Sequence, residues 1–208
     1  QTKLPAGYDP VEATMIVTFR EVLSAMRRFG MNPNQSIAVI GAGPVGLCFT
    51  RFAKLLGMGP VFTFDIVEGK LREAAAMGAD HACNSLETDM GAAVRAVCPD
   101  GVDFIVDAVG INALINQAMG FVKDNGKICC YGISPKLDMQ LDWSRAPYNW
   151  SLQFIQMPQT RADREAPEQI IPSMQAGKLK PIAVASAQRL PAIPNVPTMA
   201  EVLMKVAP

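Results

Sequence analysis

The chain has 208 residues, half of them hydrophobic and 18% charged, and its 19 basic side chains balance 19 acidic ones. That composition suits one globular α/β domain with a full core, plus extensions. Neutral charge without a basic stripe or basic–aromatic cluster argues against a nucleic-acid surface, and no apolar run approaches the ~18–20 residues of a membrane span.

Taken in chain order, the first periodic segment is 11–29. Val11, Met15, Phe19, Val22, Met26 and Phe29 recur at helical spacing, which predicts a helix with one core-facing side. Strands are then expected at Ser36–Ile40, Val61–Asp65, Asp80–Asn84, Val102–Val106, Lys127–Tyr131 and Leu152–Ile155, the fifth opened by a turn at Asp124-Asn125-Gly126. Helical patterns lie between them at Pro44–Leu56, Glu68–Met77, Asp89–Val97 and Ala113–Val122. Alternation of this kind predicts a Rossmann-type, doubly wound parallel six-stranded sheet. Its ligand crevice is expected at the switch point beside strands one and four. A weaker helix over Gln169–Gln175 should kink or end at Pro172, which lacks a backbone donor. Beyond Lys180, Pro181, Pro191, Pro194 and Pro197 predict a mostly irregular tail, with a last helix over Thr198–Val206 opened by a capping box of Thr198 and Glu201.

The chemistry is concentrated at the first strand. The apolar run Ile37–Ile40 enters Gly41-x-Gly43-x-x-Gly46, and a helical pattern follows at once. Strand, glycine turn and helix form the context in which this motif holds a dinucleotide. Gly41 makes the turn. Gly43 has no Cβ, so a pyrophosphate can approach the backbone. Gly46 lets the helix pack close to the strand. The free amides and the dipole at the helix start favour the phosphates. A turn that merely packs a helix on a strand is the alternative.

Asp65 ends the second strand, 19 positions after Gly46, near the ~20-residue spacing of the acid that binds the adenosine ribose. A carboxylate there accepts from a free 2′-hydroxyl and repels a 2′-phosphate, which favours NAD over NADP. A helix cap at the loop end is the other reading of Asp65. Lys70 is the next polar candidate, reaching the ribose or the adenine edge, or else a solvated surface lysine.

Five cysteines, Cys48, Cys83, Cys98, Cys129 and Cys130, form no C-x-x-C pair. They read as small buried hydrophobes of a reducing, cytoplasmic setting, with Cys129 and Cys130 on opposite faces of one strand. The only histidine, His81, reads as a strand residue. Neither supports a zinc site built wholly from this chain. No secretory leader is visible. The chain starts with Gln, which leads us to expect a sequence that begins inside a longer protein or after processing.

Residues 11–180 resemble the nucleotide-binding domain of the medium-chain dehydrogenase/reductase superfamily, which includes the zinc-type alcohol, sorbitol and threonine dehydrogenases. The matching pieces occur in order: Val39-Ile40-Gly41-Ala42-Gly43-Pro44-Val45-Gly46-Leu47, Ala53-Lys54-Leu55-Leu56-Gly57, Asp65 with Lys70-Leu71, Ala76-Met77-Gly78-Ala79-Asp80, Gly101-Val102-Asp103, Asp107-Ala108-Val109-Gly110, Asn125-Gly126-Lys127 and Tyr131-Gly132-Ile133. The resemblance implies that Pro44 and Val45 join the pyrophosphate turn. It places Ala108 and Val109 near the ribose and nicotinamide, and Gly132 and Ile133 along the nicotinamide pocket. Strand-end packing is the alternative for each of the last four. The resemblance also implies a zinc-holding catalytic domain and an alcohol or polyol substrate. No zinc-ligand motif has a counterpart here, so no catalytic or metal residue is assigned. It further implies pairing of copies through the edge strand expected at Leu152–Ile155.

The expected organisation is a leading helix over 1–30, linked to a catalytic domain outside this sequence, a dinucleotide-binding domain over 31–180 and an irregular tail over 181–208. The tail residues Ala183–Arg189 and Pro194–Glu201 resemble a segment of tripartite tricarboxylate-transporter solute-binding receptors, consistent with a junction near Lys180. Three functions are therefore expected in order: an NAD-binding domain of an alcohol or polyol dehydrogenase, a truncated or chimeric cofactor-binding module without catalysis, and a solute-binding protein.

Overall fold

The structure is a computed structural model that describes residues 10–136, 138–155 and 170–179. The expected last helix and the tail after residue 180 lie outside the described residues. The chain divides into two compact units, Gln1–Ser24 with Pro158–Pro208, and Ala25–Met157.

The larger unit is the sheet domain. Six strands, β1 (Ile37–Ile40), β2 (Val61–Asp65), β3 (His81–Asn84), β4 (Val102–Asp107), β5 (Val122–Cys130) and β6 (Trp150–Phe154), form one sheet in the order β3-β2-β1-β4-β5-β6. Every pairing is parallel. Chain order reverses between β1 and β4, which places the crevice of a doubly wound fold there. The central strand β1 is buried along its whole length, as a parallel strand covered on both faces must be.

The helices are α1 (Pro10–Phe29), α2 (Pro44–Leu56), α3 (Glu68–Met77), α4 (Met90–Arg95) and α5 (Asn112–Ala118). In α1 the expected stripe is buried at Met15, Phe19, Val22, Met26 and Phe29. Proline opens α2 and Gly57, left-handed at φ +80, closes it. Both are strong local signals, and the expected bounds are the observed ones.

On one face of the sheet, Ala38, Ile40, Phe62, Phe64, Ile105, Ile128 and Cys130 pack with Met90 and Val94 of α4 and Ile115 of α5. Cys129 is buried but outside that cluster, so the adjacent cysteines do face opposite ways. Phe49 of α2 meets Tyr131 edge-on at 5.2 Å, and His81 stacks on Phe62 with centroids 4.7 Å apart. His81 is thus a strand residue with an aromatic partner.

Three expectations need correction. First, β5 starts at Val122, not Lys127. Val122 pairs with Val102, and the register shifts before Phe104 meets Lys127. The Asp124-Asn125-Gly126 turn exists as a bulge inside the longer strand. Asn125 is left-handed at φ +62, and its amide donates to Asn149 O at 2.7 Å. Second, α5 stops at Ala118 rather than Val122. The chain must turn through Gly120 so that Phe121 O can accept the Val102 amide at 3.0 Å. Third, β6 runs Trp150–Phe154, not Leu152–Ile155. The helix that contains Pro172 continues to residue 175, its expected end. Pro172 O accepts from the Ala176 amide at 2.9 Å, so the ring costs a donor without ending the turn.

A polar cluster ties the amino ends of β1 and β4. Asp103 Oδ2 accepts from the Ser36 amide at 2.8 Å and from Ser36 Oγ at 2.7 Å. Its Oδ1 accepts from Lys123 Nζ at 2.6 Å. Burial opposes ionisation of Asp103, but the bonds from Lys123 and Ser36 outweigh it and hold the carboxyl below the usual carboxylate range. A carboxyl depressed in the folded state adds stability above its unfolded pKa of ~4, and that stability fades as pH falls through the lower folded value. Asp103→Ala leaves the Ser36 amide without its acceptor and is expected to cost about 1–2 kcal/mol at pH 7. The difference from the unmutated chain should shrink below pH 4 in urea melts. A pH-independent difference would contradict this role.

Candidate functional site

The described parts of the site lie along the carboxyl edge of β2, β1, β4 and β5. Gly41 leaves β1 at φ +99, outside the range of ordinary side chains, and its amide donates to Phe64 O at 2.7 Å. A Cβ on Gly46 would lie 1.8 Å from Gly41 O, so α2 starts in backbone contact with the turn. Gly43 differs from both. Its φ of −72 suits any residue, and a Cβ there would meet nothing within 4 Å. Open space over a backbone with no Cβ is what a ligand needs if it is to reach the amides.

The helix end beside that space suits an anion. The first bond of the ladder runs from the Leu47 amide to Gly43 O at 2.9 Å. The amides of Val45 and Gly46 precede it and point past the helix end. Pro44 opens the helix, and its first turn holds no acidic residue to compete with a phosphate. Behind the turn, Thr50 Oγ1 donates to Gly46 O at 3.0 Å and lies 2.9 Å from Thr63 Oγ1, both threonines being fully buried.

Asp65 ties the loop after β2 to the glycine turn. Its Oδ1 accepts from the amides of Ile66 at 2.8 Å and Val67 at 3.0 Å, which shapes the loop after β2, while the N-cap of α3, Val67, makes no side-chain cap bond, so the cap reading does not hold. Its Oδ2 accepts from the Ala42 amide at 2.7 Å, which ties it to the glycine turn. Lys70 Nζ stands 3.8 Å from the same oxygen. A carboxylate offers about four acceptor positions, and three backbone amides take three of those of Asp65.

The second half repeats the device at Asp107, which sequence reading did not single out. Asp107 is 3% exposed, and its Oδ1 accepts from the amides of Val109 at 2.9 Å and Gly110 at 3.0 Å. Its carbonyl accepts from the amides of Tyr131 at 3.0 Å and Gly132 at 2.8 Å. One residue thus locks the end of β4 to the end of β5. The signal was present: an Asp ending a strand before Ala-Val-Gly is a turn-forming residue. The lock brings the other predicted residues together. The Val109 side chain stands over Gly41, where a Cβ would lie 2.7 Å from Val109 Cγ2, and Ala108 is adjacent. Gly110 and Gly132 pack backbone to backbone, and Ile133 beside them is 73% exposed. The predicted residues therefore occupy one edge, from Lys70 and Asp65 through Gly41–Gly46 and Ala108–Val109 to Gly132–Ile133.

A pocket of ≈ 220 Å³ opens at the last of these, lined by Asp107, Gly110, Asn112, Gly132, Ile133 and Cys130 among others. Burial, and then the charge of Asp107, push the Cys130 thiol up to about 12, so it stays protonated there. Burial alone pushes Cys48 up to about 12. Neither is a nucleophile at neutral pH. Among the described residues no three His, Cys, Asp or Glu side chains come together as a metal site, and none of the helices is long and apolar enough to cross a membrane.

The family model described as zinc-binding dehydrogenase matches residues 44–159. Sorbitol dehydrogenase of Bacillus subtilis (strain 168) is 30% identical over 140 residues, which cover 67% of this chain and 40% of that protein. A probable zinc-binding alcohol dehydrogenase of Mycobacterium tuberculosis is 31% identical over 180 residues, 85% of this chain and 45% of that one. An alcohol dehydrogenase from Escherichia coli CFT073, solved in complex with its cofactor NADH, superposes with a TM-score of 0.71 at 20% identity, covering 86% of this chain and 52% of that chain. The last likeness is one of fold. The chain spans less than half the length of these two curated relatives.

Proposed function

The chain belongs to the zinc-binding dehydrogenase family, within the medium-chain dehydrogenase/reductase superfamily, and on that footing we propose that it is a cofactor-binding module that holds NAD(H) across the β1–β4 switch point. The observation that carries this reading is the open space at Gly43, beside the free amides of α2 and the remaining acceptor position of Asp65. The pyrophosphate would lie on Gly41–Gly46 with Pro44 and Val45, and the adenosine ribose at Asp65 and Lys70. The nicotinamide would run past Ala108 and Val109 toward Gly132 and Ile133. When bound, NAD supplies the hydride-accepting centre. This chain's residues bind it, orient it and keep Oδ2 of Asp65 turned to the ribose.

In a complete dehydrogenase the same module would present the nicotinamide to an alcohol or polyol, the substrate class in the names of the relatives. We place that step outside the described residues. Polarising an alcohol needs a metal with three protein ligands and an open position, and no such group of side chains occurs among them. The test has two arms. Calorimetry should show NADH binding to the purified chain. An assay with NAD, zinc and ethanol, sorbitol or threonine should show no NADH formed. Absence of binding would overturn the cofactor reading, and zinc-dependent reduction would overturn the limit to binding.

Cofactor choice gives a separate prediction. The Asp65 carboxylate should repel a 2′-phosphate, so NAD should bind better than NADP. Asp65→Ser should narrow that preference about tenfold or more, with some loss of stability because the Ile66 and Val67 amides lose their acceptor. Equal affinity for both cofactors in the unmutated chain would leave Asp65 as a brace between the glycine turn and the loop after β2.

A further inference from the structure

The segment after β5 is held in an unusual way. Among the described residues, 131–142 pair with no strand. Two side chains of α5 hold them instead. Asn112 Nδ2 donates to Asp138 O at 2.8 Å and to Lys136 O at 3.4 Å. Asn116 Nδ2 donates to Gln140 O at 2.6 Å, and Asn116 Oδ1 accepts from the Asp142 amide at 2.8 Å. The two asparagines are four residues apart and share one face of the helix. The carbonyls they bind belong to alternate residues, as in an extended chain, and Met139 and Leu141 between them pack on the core. The result is an extended strap along α5, made of amide-to-backbone bonds in place of a ladder.

The strap borders the 220 Å³ pocket. Ile133, Ser134, Lys136 and Met139 line it opposite Asp107 and Gly110, and Asn112 itself lies in the wall. We propose that Asn112 and Asn116 are positioning residues for the nicotinamide end of the cofactor, holding a strap of residues 133–136 and 138–142 in place as the outer wall of that pocket. This rests on the reading that the nicotinamide lies at Gly132 and Ile133. A wall ordered before the ligand arrives spares the ligand the entropy of ordering it, so the effect should appear as affinity. The adenosine half lies at β2, across the switch point, and should not respond.

The test compares a two-part ligand with its adenosine half, using the full chain. Asn112→Ala with Asn116→Ala should weaken NADH binding about tenfold and change AMP binding by less than about twofold in calorimetry. Unchanged NADH affinity, or equal weakening of NADH and AMP, would overturn the proposal, the second because it marks general loosening. An unmutated chain that binds neither ligand overturns the cofactor reading itself. One that binds NADH no better than AMP overturns the placement of the nicotinamide, and the proposal with it. Should the double variant fail to fold, hydrogen exchange on the unmutated chain decides. NADH should raise protection of the amides between 138 and 142 and AMP should not, and equal protection by both, or none by either, overturns the assignment.

Discussion

Gly43→Val should fold as the unmutated chain folds and lose NADH affinity at least tenfold, about 1.4 kcal/mol. A Cβ on Gly43 meets no atom within 4 Å, and the backbone there is extended at φ −72, so a branch at this position starts in open space and on an unstrained backbone. The same empty space is where a pyrophosphate must sit to reach the amides of Val45 and Gly46. Valine fills it with three carbons. Thermal melting should therefore change little, apart from a small helix-start cost of about 1 kcal/mol or less, while calorimetry should show the loss. Unchanged NADH affinity in a folded Gly43→Val chain would mean that the turn is not the phosphate site.

The sheet was legible because its signals are local. Ile37–Ile40 and Val102–Asp107 are short apolar runs bounded by turn residues, and both are strands. Pro44 and Gly57 bracket α2, and Gly78, left-handed at φ +105, closes α3 at its expected end. The failures have a common cause. Asn125-Gly126 is a turn signal by its own chemistry, but β4 accepts it as a bulge because Val102 still needs a partner in Val122. Likewise α5 is cut short by the need to deliver Phe121 to Val102. Neither demand is visible from the segment concerned.

The site divides the same way. The glycine turn and Asp65 follow from spacing within one strand–turn–helix unit and the strand after it. Asp107 was passed over because its task is non-local: it binds the 109–110 amides with its side chain and the 131–132 amides with its carbonyl. Asn116 was read only as part of the helical pattern Ala113–Val122, and Asn112, the first residue of α5, fell outside it. Their partners lie 24 and 26 positions on, and nothing in a run of Asn-Ala-Leu-Ile-Asn announces them. Long-range polar contacts of this kind appear only when the sheet has fixed which ends meet.

Gly46→Ala is the counterpart of the Gly43 substitution and should behave in the opposite way. The added Cβ would lie 1.8 Å from Gly41 O and 2.9 Å from Gly41 C. Both are backbone atoms, so no side chain can swing aside. Gly41 cannot retreat either, since its amide is bonded to Phe64 O and the Val109 side chain stands where its own Cβ would be. The start of α2 must move off β1, which opens the Thr50–Gly46 bond and the contact of Phe49 with Tyr131. Overpacking against side chains costs about 1–3 kcal/mol, and a backbone clash that moves a helix belongs at or above the upper end, about 3 kcal/mol or more. Urea denaturation should show this loss with no ligand present. NADH affinity should fall with it, because the amides of the helix start are displaced. A Gly46→Ala chain within about 1 kcal/mol of the unmutated stability would mean that helix and strand are not in backbone contact here. The glycine turn would then lose the geometry on which the phosphate site depends.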